Sequence, residues 1–208
     1  MGIFYSFSVE YYISVEIQYR NNRLENGLFD GVTTMREVFY GVISQGVAPY
    51  FMDKNKICSF FGHRDVVITE ELQKITTAEI IKAIHGGCSI FYFGGYGTFD
   101  ELCYNIVTNI KNSNPSLPIQ RIYCVAQERY LRKRVRYFCR EDYDDVIYLP
   151  RPFEGWYKSI YFRNCTMIDE SSVVIFYAQE RENSGAYKAY RYAKKKKDIS
   201  VINVFIEK

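Results

Sequence analysis

Eight consecutive residues, Gly94-Gly95-Tyr96-Gly97-Thr98-Phe99-Asp100-Glu101, carry the clearest chemical signal in the sequence. Glycines let a backbone approach a ligand closely, and a helix opening at Thr98 would aim free N–H groups and the positive end of its dipole at the same gap. That combination suits a phosphate. It is not a Walker loop, because no Gly-Lys-Ser/Thr follows, and it is not the GxGxxG dinucleotide fingerprint. A tight strand-to-helix connection would use the same glycines. Glu101 is placed to act as a general acid or base, but Thr98-x-x-Glu101 also spells a capping box. Phe99, Leu102, Cys103, Ile106, Val107 and Ile110 mark the buried face of the helix, which sets Asp100 and Glu101 off that face in its first turn.

Two other stretches repeat this logic. In Gly62-His63-Arg64-Asp65 the glycine permits close approach, and His63 and Arg64 can hold a phosphate by hydrogen bond and fork; surface ion pairs are the structural alternative. In the stretch 178–186, Asn183 or Ser184 suits a helix N-cap, Gly185 gives access, and Glu180 stands at the mouth; a plain strand-to-helix connection is the structural alternative. Two histidines and six cysteines without a CxxC pair give no metal-ligand spacing, so neither a metal nor a required cofactor is expected.

The elements that must position these loops follow from periodicity. From about residue 52 onward, apolar runs alternate with helical patterns. Strands are predicted at 56–61, 89–93, 121–126, 146–149, 173–178 and 200–205, with helices at 69–85, 98–112, 155–169 and 185–197. The segment 127–145 reads as a short basic helix and a loop. Continuous apolar strands separated by helices predict an α/β fold: a Rossmann-like, doubly wound, mostly parallel sheet with helices on both faces. In such a sheet ligands bind at the carboxyl ends of the strands, where all three loops lie. Residues 1–51 read as a separate extension, with an alternating strand at 9–19 and a capped helix at 34–45, suited to a sheet edge or a homo-oligomer contact.

Composition narrows the partners. Net charge is +3, which argues against a dedicated nucleic-acid binder; the Lys194–Lys197 run and Arg129–Arg140 are the visible basic clusters. The Lys run suits the solvated last turn of a helix. The cysteines sit in apolar runs and read as buried thiols of a reducing compartment. No apolar run reaches the ~20 residues of a membrane span, and Glu10 and Glu16 interrupt any leader-like N-terminus. The expectation is a cytoplasmic protein with no membrane partner.

Cys58-Ser-Phe-Phe-Gly-His-Arg-Asp65, Phe93-Gly-Gly-Tyr-Gly-Thr-Phe-Asp100 and Arg163-Asn-Cys-Thr-Met167 occur in an order that resembles the YpsA-like branch of the SLOG superfamily. That superfamily also holds the DNA-processing protein A (SMF) domain and the LOG phosphoribohydrolases. The resemblance covers about residues 52–208. It implies a Rossmann-like fold, a pocket for a nucleotide-derived small molecule, and a sensor or binding role, with Gly62, His63, Arg64, Gly94, Gly95, Tyr96, Gly97, Thr98, Arg163, Glu180, Ser184 and Gly185 as ligand-binding residues. The enzymes carry Gly-Gly-x-Gly-Thr-x-x-Glu, which Gly94 to Glu101 matches locally, and Glu101 would then serve a nucleotide N-glycosidic-bond hydrolase. In those enzymes, however, the Arg-Lys-x-x-Met helix precedes that strand. Here the corresponding helix, with Asn164 in place of Lys, precedes Ser184-Gly-Ala-Tyr-Lys-Ala189, which has no matching Glu. Binding is therefore the first expectation and hydrolysis the second. By analogy with the SMF branch, a protein associated with single-stranded nucleic acid is the third.

Overall fold

A computed structural model describes residues 56–127, 142–148, 156–181 and 184–206. They belong to the unit Met52–Lys208. The predicted extension (9–19, 34–45), Cys139, Arg129–Arg140 and most of the 127–145 segment lie outside the described residues.

The chain order is β1 (Ile57–Gly62), α1 (Glu70–His85), β2 (Ile90–Phe93), α2 (Thr98–Ser113), β3 (Gln120–Val125), β4 (Asp145–Tyr148), α3 (Trp156–Glu170), β5 (Val173–Tyr177), α4 (Gly185–Ala193) and β6 (Ser200–Asn203). All five strand pairings are parallel, in the order β4-β3-β2-β1-β5-β6. This is the α/β, Rossmann-like sheet expected from the uninterrupted apolar strands.

Alternate residues along each strand feed two cores. Cys58, Phe60, Phe91, Phe93 and Ile175 face Leu72 and Ile80 of α1 and Leu102, Ile106 and Val107 of α2. Ile57, Phe61, Tyr92, Val174 and Phe176 face Met167 and Ile168 of α3 and Ala189 and Ala193 of α4. Both faces are covered, which is why these strands carry no polar alternation. Each fully buried Phe or Ile side chain contributes roughly 1.5–3 kcal/mol of transfer free energy, so burial on both faces is the main support of the sheet.

The chain runs outward from β1 through β2, β3 and β4, then returns across α3 to place β5 on the other side of β1. The switch point therefore lies between β1 and β5, with a crevice at their carboxyl ends. The register pairs Gly62 with Tyr177 there, and the His63 N–H extends the ladder to Tyr177 O at 3.3 Å.

Local signals explain the ends of the elements. Thr69 caps α1 by accepting the Leu72 N–H at 3.1 Å, with Glu70 and Glu71 in the first turn. Ser184 caps α4 by accepting the Tyr187 N–H. α4 ends at Ala193 rather than 197, and the Lys run continues as a turn in which Lys196 pairs with Asp169 at 2.5 Å. Cys58, Cys88, Cys103, Cys124 and Cys165 are buried and form no disulfide among the described residues. Burial pushes the Cys58, Cys103 and Cys124 thiols well above the ordinary thiol range, so they are inert. No helix among the described residues is long and apolar enough to cross a membrane.

Candidate functional site

Three loops meet at the carboxyl edge of the sheet, after β1, β2 and β5. The β1–α1 and β2–α2 loops are clamped together by Thr98. Its N–H and Oγ1 both donate to Arg64 O, at 2.8 and 3.1 Å, and its Oγ1 accepts the Val66 N–H at 2.8 Å. The N-cap of α2 is Gly97, which makes no side-chain cap bond. The expected Thr98-x-x-Glu101 capping box is thus replaced: the Thr98 hydroxyl is committed to the neighbouring loop.

Gly97 has φ 105, and an added Cβ would stand 3.0 Å from Arg64 Cα. Only glycine satisfies both the left-handed backbone and the close loop-to-loop contact. The consequence is a fixed platform. The Arg64 guanidinium carbon lies 4.4 Å from the centroid of the Tyr96 ring, and Tyr96 is 44% exposed.

The expected phosphate cradle is already filled. Asp100 is 5% exposed. Its Oδ1 accepts the Gly94 N–H at 3.2 Å and its Oδ2 the Gly95 N–H at 2.9 Å, so those donors serve an internal carboxylate. Burial is the largest influence on this carboxyl and pushes it up to about 6, against the Gly94 N–H, the Arg163 charge and the Gly95 N–H. Placing Asp100 off the buried face was wrong. Counting from Asp100, Cys103, Tyr104 and Val107 at i+3, i+4 and i+7 are all buried, so the helical phase carried the signal.

Arg163, on α3, is 9% exposed. Its Nη1 donates to Gly94 O and Cys124 O, each at 2.9 Å, and its Nε to Asn164 Oδ1 at 3.0 Å. It braces the ends of β2 and β3 from beneath the loop, and a Cβ on Gly94 would meet its Nη2 at 3.1 Å. Gly62 likewise makes room for protein: a Cβ there would stand 2.5 Å from Phe99.

His63 forms the floor of the crevice. Its Nε2 accepts the Gln179 N–H at 2.9 Å, and its Nδ1 lies 3.1 Å from Ser184 Oγ. Gln179 had carried no sequence signal, because it acts through its backbone. Beyond it Arg181 is exposed, its guanidinium held on Gln179 Oε1 at 2.9 and 3.1 Å. Glu180 engages Tyr187. Gly185 is exposed, with open space where a Cβ would stand. Glu101 is half-buried, and its N–H donates to Gly97 O. No group of three His, Cys, Asp or Glu that could hold a metal occurs among the described residues.

The loops thus bring together His63, Arg64 and Tyr96 on one side and Glu180, Arg181, Ser184 and Gly185 on the other. Gly62, Gly94 and Arg163 sit beneath as support. What the crevice offers is an aromatic face with a cation on it, and a second exposed cation across from it.

No family model matches the sequence, and no curated protein matches it. Two solved structures of DNA processing protein A are similar. That from Helicobacter pylori, described for its single-stranded DNA binding mode, is 18% identical with a TM-score of 0.46, over 69% of this chain and 62% of that one. That from Streptococcus pneumoniae is 14% identical with a TM-score of 0.49, over 71% of this chain and 50% of that one. The chain spans less than two thirds of either, and at such identity the likeness is one of fold. The expected small-molecule partner, with nucleic acid disfavoured by the net charge, differs from what the Helicobacter pylori structure is described as binding, which is single-stranded DNA. Net charge averages over the whole surface, whereas stacking and phosphate contacts are local. What the chain shares with these two DNA processing protein A structures is thus the fold, and the narrower YpsA-like branch rests on sequence motifs alone.

Proposed function

We propose that the carboxyl edge of the sheet binds single-stranded nucleic acid. The observation that carries this reading is the Arg64–Tyr96 pair: an exposed aromatic ring with a guanidinium 4.4 Å from its centroid, locked in place by Thr98 and Gly97. A ring in that setting stacks an unpaired base, and exposed arginines beside it meet the flanking phosphates. A duplex keeps its bases stacked on one another and offers no such face. With Arg64 and Arg181 as the phosphate contacts, binding is local and modest in strength. Single-stranded DNA binding by the Helicobacter pylori protein of similar fold agrees with this reading.

The N-glycosidic hydrolase reading gains nothing from the site, because the carboxylate turned into the glycine loop is Asp100 and it is occupied by backbone donors. The test is a titration of the full chain with labelled single-stranded and duplex oligonucleotides of the same sequence, followed by fluorescence anisotropy. Preference for the single strand is expected. Equal affinity for both would assign binding to charge alone and remove Tyr96 from it.

A further inference from the structure

The partners of His63 decide its tautomer. Nε2 accepts the Gln179 N–H at 2.9 Å, so that nitrogen carries no proton in the neutral ring. The ring proton is then on Nδ1, which donates to Ser184 Oγ at 3.1 Å. The same Oγ accepts the Tyr187 N–H at 3.1 Å and caps α4. One buried ring therefore ties the end of β1 to both ends of the β5–α4 loop. The arrangement also excludes a Ser–His nucleophile, because His63 presents Ser184 with a donor and not a base.

We propose that His63 is the positioning residue for the crevice wall formed by residues 179–181 and 184, on either side of the β5–α4 connection: the neutral ring holds that wall for ligand, and protonation releases it. A proton on Nε2 would set two donors, Nε2–H and the Gln179 N–H, against each other. The consequence for binding rests on the nucleic-acid reading above; the tautomer and the loop do not.

The charged surroundings favour the neutral ring. Arg64 follows His63 in the chain, and Arg181 reaches it from the β5–α4 loop. Tyr177 of β5 presents its ring edge-on at 6.3 Å. Asp65 is exposed, and Glu180 is turned to Tyr187. From the β2–α2 loop only the Gly97 backbone approaches, beside His63 O. Burial first, and the Arg181 charge second, lower the pKa of His63, so release falls on the acid side of histidine's ordinary range.

The test uses the ¹⁵N-labelled full chain and its His63→Gln variant, whose Oε1 keeps an acceptor for the Gln179 N–H and does not titrate. At neutral pH the ring should report the Nδ1–H tautomer. Acidification should shift the Gln179, Ser184 and Gly185 amides together with the ring, and the variant should show no such transition. With a fluorescein-labelled oligothymidylate, the wild-type to variant affinity ratio should fall about fivefold between roughly pH 7.5 and pH 5.5. An Nε2–H tautomer at neutral pH, or amides that do not follow the ring, would overturn the proposal. So would a constant affinity ratio alongside a titrating loop. If no oligonucleotide binds at any pH, the nucleic-acid reading fails, and the ring and amide titrations still decide the role of His63.

Discussion

The Gly95 N–H donates to Asp100 Oδ2 at 2.9 Å, and the Gly94 N–H to Oδ1 of the same carboxylate at 3.2 Å. The loop that reads as a phosphate cradle is closed by its own helix. This relationship moves the site from the glycine backbone to what the loop holds outward, namely Tyr96 and, through Thr98 and Gly97, Arg64.

The first prediction concerns pH. The Asp100 carboxyl rises from 3.8 to about 6 on folding, chiefly through burial. The folded chain therefore binds more protons than the unfolded chain between those values, and stability falls as pH climbs through them. At 1.36 kcal/mol per unit, the loss is on the order of 3 kcal/mol. In Asp100→Asn that loss disappears. Melting curves from about pH 4 to pH 7 should show wild type losing stability relative to the variant; parallel curves would mean that the carboxylate is not buried as described.

Gly97→Ala puts a Cβ into a left-handed residue 3.0 Å from Arg64 Cα. A cost of about 1–3 kcal/mol is expected from strain and contact together. Because the loop pair must shift, oligonucleotide binding should weaken as well. Chemical denaturation and anisotropy on the same preparation check both effects.

Two glycines that look alike in the sequence should behave oppositely. Gly62→Ala drives a methyl to within 2.5 Å of the buried Phe99 ring, whereas a Cβ on Gly185 meets open space. The first should cost about 1–3 kcal/mol by overpacking. The second should be neutral or slightly stabilising, since alanine is the better helix former at the start of α4. Melting temperatures of the two variants decide this directly.

Much of the fold was legible because the strands are uninterrupted apolar runs and the helices carry plain caps. The Thr69 cap was readable from residue type, and the cap of α4 was readable as Asn183 or Ser184, of which Ser184 makes the bond. The site was less so. His63, Arg64, Tyr96 and Ser184 do meet at one edge, as strand-end placement implied. Yet the roles of Asp100 and Arg163 turn on direction: one points back into a loop, the other braces two strand ends across the sheet. The His63–Gln179 bond is made by a backbone N–H, which leaves no mark on residue type. By residue type Gly62 and Gly94 suggest room for a ligand, whereas the space beside them is taken by Phe99 and Arg163. Two arginines at one edge are invisible in a whole-chain charge sum, so net charge does not report on a local contact there.

Arg163→Met should separate bracing from binding. The variant keeps most of the aliphatic volume and removes the donors to Gly94 O and Cys124 O. Taking the Arg163 donor from the buried Cys124 carbonyl and the part-buried Gly94 carbonyl, and the nearby cation from Asp100, should cost about 3 kcal/mol or more. The salt dependence of oligonucleotide binding by the folded variant should stay unchanged, because Arg163 meets no phosphate. A flatter salt slope would return Arg163 to the ligand.

The central claim is most directly tested by binding of a labelled single-stranded oligonucleotide to wild type, Tyr96→Ala and Arg64→Ala over a range of salt. Tyr96 is 44% exposed, so its removal should leave the melting temperature nearly unchanged while costing about 1–3 kcal/mol of binding by loss of a stacked base. Arg64→Ala should instead reduce the magnitude of the salt slope by about 0.7, the share of one phosphate contact on a single strand. Affinity and salt slope that are the same in all three proteins would contradict the claim and leave the carboxyl edge without a nucleic-acid role.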